Sequence, residues 1–209
     1  MNIAIIGAGA MGAGLASRFA ASNFNVVIGA REPSRAQDAA ARIGGSVQSG
    51  SIAGAAQSAD IVVLAVPYAA AKEALAAAGD LNGKVVIDIT NPLTDDYSGL
   101  TIGHTSSAAE EIQKAAPTAK VVKALNTVFA QLLENPSING QPVTAFYAGD
   151  DETANQAVST VLERAGFKPE FAGPLKNARY LEPLAGLNIS LGYALGGGVN
   201  IAPEWRRAA

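Results

Sequence analysis

Short uninterrupted apolar runs alternate with Ala-rich stretches along most of the chain. A run that is apolar at every position suits a strand buried on both faces, and an Ala-rich stretch between two such runs has the length of a crossover helix. The pattern predicts strands at Asn2–Ile6, Asn25–Gly29, Asp60–Pro67, Lys84–Thr90 and Lys120–Leu125, with a short extended piece beginning at Val47. Helices are predicted after the first strand and over Ser34–Ile43, Ser51–Ser58, Tyr68–Ala78 and Ser107–Ala116, the second ended by Gly44-Gly45 and the last followed by Pro117. Asp95–Thr105 reads as an irregular loop. Farther on, Val143–Gly149 reads as a strand and Glu152–Ala165 as a helix whose leading Asp150-Asp151 carboxylates suit its positive end. Phe167–Ala172 reads as extended. Lys176–Leu195 reads as one long apolar helix interrupted by Pro183. Alternation of this kind predicts an α/β fold, a doubly wound parallel sheet with helices on both sides. Residues 1–175 would form it, and 176–209 would make a small, mainly helical C-terminal part.

The turn out of the first strand is Gly7-Ala8-Gly9-Ala10-Met11-Gly12, a Gly-x-Gly-x-x-Gly pattern between a strand and a helix. Gly7 permits the tight turn, Gly9 lets a pyrophosphate approach the backbone, and Gly12 lets the helix lie close to the sheet. The helix N-terminus offers N–H donors to phosphates. This context predicts a dinucleotide site formed by Gly7, Ala8, Gly9, Ala10, Met11 and Gly12. The end of the second strand selects the dinucleotide. An NAD site usually has a carboxylate there for the ribose hydroxyls, whereas this chain has Ala30 followed by Arg31. A guanidinium can stack on adenine and pair with a 2′-phosphate, and Ser34 and Arg35 add a hydroxyl and a second positive charge. The expected cofactor is NADP. The alternative is that the arginines form a solvated loop and Glu32 serves as the ribose ligand of NAD.

Composition narrows the class. With 209 residues, 49% of them hydrophobic and 16% charged, the chain is one large domain, or a domain with a small appendage, and holds a sizeable core. A net charge of -3 argues against nucleic acid as a partner. The absence of cysteine excludes disulfides, thiolate metal sites and redox thiols in the protein, and no metal site is predicted. No charged and apolar leader precedes the first strand, and no apolar run reaches the ~20 residues that span a bilayer. The expectation is a cytoplasmic protein without a membrane portion. The apolar run Leu181–Leu195 has too few charges to face water, which predicts a homodimer packed through it.

Several segments together resemble the NADP oxidoreductases dependent on coenzyme F420, a deazaflavin. They are the glycine turn, Gly29-Ala-Arg31, Ala65-Val-Pro67, Lys123-Ala-Leu-Asn-Thr127, Ala148-Gly-Asp-Asp151 and Ala172-Gly-Pro-Leu175 with Asn177 and Arg179. The cytosolic domain of the six-transmembrane metalloreductases is similar at the same places. The resemblance runs to about residue 191 and implies a Rossmann domain, a small helical C-terminal part, NADP and a dimer. It also implies that position 126 faces the hydride acceptor. The deazaflavin enzymes carry His there and this chain carries Asn126, which hydrogen-bonds but cannot carry a proton. The stretch Gly196–Trp205 also departs from the archaeal members.

In an open parallel sheet the ligand lies beyond the carboxyl ends of the strands. The loops that meet there are the glycine turn, Val66-Pro67-Tyr68, Thr90-Asn91-Pro92 and Asn126-Thr127-Val128. Val66, Pro67 and Tyr68 are expected near the nicotinamide ribose, Thr90 and Asn91 at ribose or substrate, and Asn126 and Thr127 beside the nicotinamide or the acceptor ring. Asn91 and Asn126 also suit ordinary turns. No catalytic acid or base is assigned. His104 is the only histidine and sits in a Gly-rich loop. Lys123 lies inside a strand, where it would be buried or paired. Lys176 and Asn177 do not make the Lys–Asn pair of hydroxyacid dehydrogenases, and no Ser–Tyr–Lys spacing occurs. The expected activity is therefore direct hydride exchange between the nicotinamide and a planar partner such as coenzyme F420, a flavin or a chelated metal. Such exchange needs alignment and water exclusion more than a protein base. Met11, Val128, Phe129 and Leu175 could wall such a site or simply pack a core. The alternatives are an NADPH-binding sensor without catalysis and an imine or 3-hydroxyacid reductase.

Overall fold

A computed structural model describes residues 1–206 and 208; positions 207 and 209 of the expected C-terminal part lie outside the described residues. The chain runs β1 (Asn2–Ile6), α1 (Ala10–Ala21), β2 (Asn25–Gly29), α2 (Pro33–Ile43), β3 (Gln48–Gly50), α3 (Ile52–Ser58), β4 (Ile61–Leu64), α4 (Tyr68–Ala78) and β5 (Val85–Asp88). It continues through α5 (Ala108–Ala115), β6 (Lys120–Ala124), a hairpin of β7 (Ser137–Ile138) and β8 (Gln141–Pro142), β9 (Thr144–Gly149), α6 (Glu152–Arg164), β10 (Lys168–Phe171) and α7 (Ala178–Ile189). The described strands make an eight-stranded sheet ordered β3-β2-β1-β4-β5-β6-β9-β10, with the β7–β8 hairpin apart from it. From β3 to β6 all pairings are parallel, so the predicted doubly wound α/β fold is present.

Each central strand feeds both faces. Ile3, Ile5, Val63, Ile87 and Val122 join a core with Leu15 and Phe19 of α1 and Val158, Val161 and Leu162 of α6. Ala4, Ile6, Val62, Leu64, Val86 and Val121 join a second core with Ala55 of α3, Ala74 and Leu75 of α4 and Ile112 of α5. This is the two-sided burial that the uninterrupted apolar runs require.

The structure departs from the predicted elements in two places. β9 pairs antiparallel with β6, with Lys123 opposite Ala148, although β10 is parallel to β9. The link from β6 to β9 holds a 3₁₀ turn at Ala130–Leu132 and the β7–β8 hairpin, with no helix to carry the chain back across the sheet, so the strand returns beside its predecessor. The expected long helix is a 3₁₀ turn at Leu175–Asn177, then α7, then a π turn at Ser190–Ala194. Pro183 lies inside α7 and removes only the bond to the Arg179 carbonyl one turn earlier. No helix among the described residues is long and apolar enough to cross a membrane.

A buried ion network ties α7 to the sheet. Lys123 on β6 is fully buried, and its Nζ donates to Asp88 Oδ2 of β5 at 2.8 Å, to Glu182 Oε1 of α7 at 2.8 Å and to the Thr90 carbonyl at 2.5 Å. Glu182 also accepts from the backbone amides of Ala108 and Ala109 at 2.9 and 3.2 Å, the uncapped donors at the start of α5. Asp88 Oδ1 accepts from the Thr90 amide at 2.8 Å. Arg179 then grips Glu110 of α5 through Nε and Nη2 at 2.8 and 2.6 Å. The sequence-level reading of Lys123 as buried or paired holds on both counts.

Burial pushes the Glu182 carboxyl above its ordinary 4.5, against the opposing pull of Lys123 and the Ala108 amide. Lys123→Met strands two buried carboxylates and should cost about 3–5 kcal/mol in urea unfolding. Glu182→Gln keeps the Lys123–Asp88 pair and should cost less. The folded state holds the Glu182 proton more tightly than the unfolded state, so between the two pKa values stability falls as pH rises. The advantage of wild type over Glu182→Gln should therefore shrink from pH 4.5 upward. Equal losses for the two variants would show that Lys123 does not hold the network.

Candidate functional site

The glycine turn is built around two contacts that exclude a side chain. Gly7 sits at φ +121°, and a Cβ there would run into the Ala65 carbonyl at the end of β4. A Cβ on Gly12 would run into the Gly7 carbonyl oxygen, so α1 packs directly on the turn. Gly9 differs: a Cβ there meets nothing within 4 Å, and its backbone faces open space. The first helical bond is Ala13 N–H to the Gly9 carbonyl at 2.8 Å. No side chain caps α1, and its first turn holds no carboxylate. The amides of Ala10, Met11 and Gly12 are thus left as donors at a positive helix end, an arrangement suited to an anion.

A cavity of about 670 Å³ opens from this turn. Of the predicted residues, Gly7, Ala8, Gly9, Ala30, Arg31, Arg35, Val66 and Pro67 line it. Glu32, the alternative ribose ligand, lines it as well, and so do Asp38, Arg42 and Glu73, which escaped prediction. Arg42 was legible, since Arg35, Asp38 and Arg42 recur at the spacing of one helix face. Glu73 comes from α4 and had no local signal. Arg31 Nη1 lies 3.9 Å from Glu73 Oε2, and Arg35 Nε lies 3.7 Å from Glu32 Oε2. All four side chains are well exposed, so these pairs are weak and exchange readily for a phosphate. Ser34, at the start of α2, is exposed and outside the lining.

A larger cavity of about 1110 Å³ has Met11 in its lining. Its floor is the ends of β5 and β6, its far wall is α7 from Pro183 to Ile189 with Ser190 of the π turn, and the loop from Leu93 to Leu100 forms a side. Met11, Ile89, Leu125, Val128 and Phe129 make it mostly apolar. The predicted residues Asn91, Asn126 and Thr127 all line it, and Asn188 of α7 joins them. Asn126 Nδ2 donates to Asn91 Oδ1 at 3.0 Å and to the Leu181 carbonyl at 2.9 Å, while Asn91 Nδ2 donates to the Asn126 carbonyl at 2.9 Å. Asn188 Nδ2 donates to the Thr127 carbonyl at 3.1 Å. Asn126 thus spends one amide hydrogen on Asn91 beyond β5 and the other on α7, and Leu125 before it is buried at φ +59°, a strained left-handed conformation for a leucine. Asn126 Oδ1 and Thr127 Oγ1 are buried without a hydrogen-bond partner. Buried polar atoms left this way are costly unless something else meets them.

The remaining predicted residues lie apart from both cavities. Thr90 is buried beside them, with its own Oγ1 unpartnered. Tyr68 is half-buried toward the ion network, where burial and then the carboxylates of Glu111, Glu182 and Asp88 push its hydroxyl up. Leu175 belongs to the second core and walls neither cavity. Among the groups lining the large cavity, Asp96 is pulled down to about 2 by hydrogen bonds from the Thr94 hydroxyl and from Ser98, so it holds the loop as an ionised carboxylate and has no proton to give. His104 lies outside this lining. No cluster of His, Cys, Asp or Glu able to hold a metal ion occurs among the described residues.

Comparison with known proteins agrees with this geometry. Residues 2–92 match the family model described as NADP oxidoreductase, coenzyme F420-dependent. The F420-dependent NADP reductase of Methanothermobacter thermautotrophicus is 34% identical, with 91% of this chain and 89% of that protein covered. The metalloreductase STEAP3 of Rattus norvegicus is 29% identical over 88% of this chain, which spans only 36% of that protein's length. A crystal structure from Arthrobacter sp. FB24, provisionally assigned as an F420-dependent NADP-reductase, superposes with a TM-score of 0.89 at 32% identity, covering 98% of this chain and 99% of that one. With identity above the level that fixes a family and coverage of nearly the whole length, the chain belongs to the F420-dependent NADP reductase family.

Proposed function

We propose that the protein is an NADP-dependent oxidoreductase passing hydride between the nicotinamide and a planar ring acceptor held in the large apolar cavity. The observation that carries this reading is that one short turn serves two unlike cavities: Gly7, Ala8 and Gly9 line one, and Met11, two residues on in α1, lines the other. One is lined by arginines with exposed carboxylates beside the glycine turn, and the other is mostly apolar, with the unpartnered oxygens of its lining residues Asn126 and Thr127 buried beneath its surface. When bound, NADP supplies the hydride-donating or hydride-accepting ring. Gly9 and the amides of Ala10, Met11 and Gly12 hold the pyrophosphate, and Arg31, Arg35 and Arg42 receive the 2′-phosphate. Val66 and Pro67 border the path toward the ring site. The apolar walls exclude water, and Asn126 Oδ1 and Thr127 Oγ1 orient a ring by hydrogen bonds. No acid or base is needed on the protein, in keeping with the lining described above. The acceptor is a flavin or chelated metal more than the deazaflavin, because Asn126 stands where the deazaflavin enzymes carry His. Oxidation of NADPH against a panel of coenzyme F420, FMN and ferric chelates tests the activity. Failure to turn over any of them would favour an NADPH-binding sensor.

The proposed assembly is a homodimer. Tyr180, Leu187, Leu191 and Leu195 are exposed, and with half-buried Leu184 they recur at spacings of four, three, four and four along α7 and the π turn. Such a stripe is narrow and self-complementary about a two-fold axis, so a second copy covers it.

Three outcomes are expected. NADPH binds at least about tenfold more tightly than NADH, and Arg31→Ala removes most of that preference with little effect on NADH; equal affinities in calorimetry would remove the NADP assignment. Thr127→Val deletes a buried hydroxyl that has no partner in the free protein, so thermal stability holds or rises while the KM for the ring acceptor rises about tenfold. An unchanged KM would take Thr127 out of the ring site. Light scattering at micromolar concentration gives a dimer mass, and Leu187→Glu with Leu191→Glu shifts it to the monomer; a wild-type monomer would end the dimer proposal.

A further inference from the structure

A third cavity, of about 590 Å³, lies beside the apolar one and belongs to no part of the function above. It is lined by His104, Lys176, Asn177, Arg179, Tyr180 and Pro183, and no carboxylate is among them. Pro183 lines both cavities. The loop that gives Leu100 to the apolar cavity gives His104 to this one. The two cavities therefore follow one another along the cleft between that loop and α7.

The cationic groups here are largely uncommitted. Lys176 has no ion-pair or hydrogen-bond partner among the described residues, and neither does the His104 imidazole. Arg179 gives Nε and Nη2 to Glu110 and keeps Nη1 free. That bidentate pair also fixes the guanidinium in place, so its remaining donor is pre-oriented. An ammonium, a guanidinium edge and an imidazole around a carboxylate-free cavity form a site for an anion.

We propose that this cavity receives an anionic group, a phosphate or a carboxylate, on the tail of the acceptor whose ring lies in the neighbouring apolar cavity. This rests on the ring-acceptor reading of the apolar cavity. The acceptor is then a planar ring joined through a short polar linker to an anion, and a ring without that anion is a poorer ligand.

FMN and riboflavin share one ring and differ in the phosphate, so binding of each to NADP⁺-saturated protein separates the tail from the ring. FMN is expected to bind at least about fivefold more tightly than riboflavin and to shift the backbone amide resonances of His104, Lys176 and Arg179, which riboflavin leaves in place. Lys176→Glu is expected to bring the ratio of the two affinities close to one. Equal affinities in wild type, or a ratio that survives Lys176→Glu, would overturn the proposal. If neither flavin binds, the ring-acceptor reading fails for flavins, and inorganic pyrophosphate decides the anion site alone: shifts at the same amides support it and their absence overturns it. Tight FMN binding without NADPH oxidation would sustain the anion site and defeat the proposed activity.

Discussion

The ammonium of Lys123 is the point on which the arrangement of this molecule turns. A lysine in the middle of a strand buried on both faces is tolerable only if every donor finds an acceptor. Here the acceptors come from three separate elements: Asp88 on β5, the Thr90 carbonyl just beyond it and Glu182 on α7. Glu182 in turn meets the first amides of α5. Because each partner is buried and satisfies another, α7 has one position against the sheet in which no charge is stranded. Burial of apolar surface alone would leave the helix free to slide. The Arg179–Glu110 pair and the amides of Asn126 and Asn188 add further attachments along the same helix.

That docking creates the larger cavity. Its far wall is the stretch of α7 that begins one residue after Glu182, and its floor is the strand end that Lys123 precedes. The smaller cavity has a different origin. It lies between the ends of β1 and β4, where the strand order reverses from β3-β2-β1 to β4-β5-β6, and helices leave the sheet on opposite faces at such a reversal. Gly7, pressed against Ala65, closes the gap between those two strands. The two cavities thus depend on different physics, one on topology and one on a buried ion network. The turn from β1 into α1 links them, giving Gly7, Ala8 and Gly9 to the first and Met11 to the second.

The difference explains what the sequence disclosed. A topological site is written in local patterns: apolar runs, a glycine turn and the residues that end the second strand. Gly7, Gly9, Ala30, Arg31, Val66 and Pro67 could be read that way, and all of them line one cavity. Asn91, Asn126 and Thr127 line the larger cavity, since they follow strands whose ends meet in any parallel sheet. Apart from Asp38 and Arg42, which share a helix face with Arg35, what was missed came from elements brought in by long-range docking. Glu73 and Asn188 carry no local signal, and the reversal of β9 depends on a connection that lacks a crossover helix. Tyr68 begins α4 where expected but lines neither cavity, and the carboxylates of the ion network act on its hydroxyl. For Leu175, where apolarity left wall and core both open, the structure gives the core.

The same division bears on how much family membership says about the reaction. The family model ends at residue 92, and Leu93 is where the loop bordering the larger cavity begins. The matched part therefore contains the glycine turn, the arginine-bearing strand end and the Ala65–Pro67 turn, which together build the smaller cavity. Beyond it lie Asn126, Thr127, the π turn and the cationic residues around Lys176, which give the larger cavity and its neighbour their chemistry. A nucleotide cofactor places similar demands on any protein that holds it: a turn that admits phosphate and a charge suited to the ribose end. An acceptor is recognised by ring shape, hydrogen-bonding edges and tail charge, and each can change by one side chain without disturbing the buried network beneath. Asn126 shows the separation within one side chain: its two amide hydrogens are spent on Asn91 and the Leu181 carbonyl, while its oxygen has no partner. Divergence in the acceptor at constant cofactor is what this architecture permits.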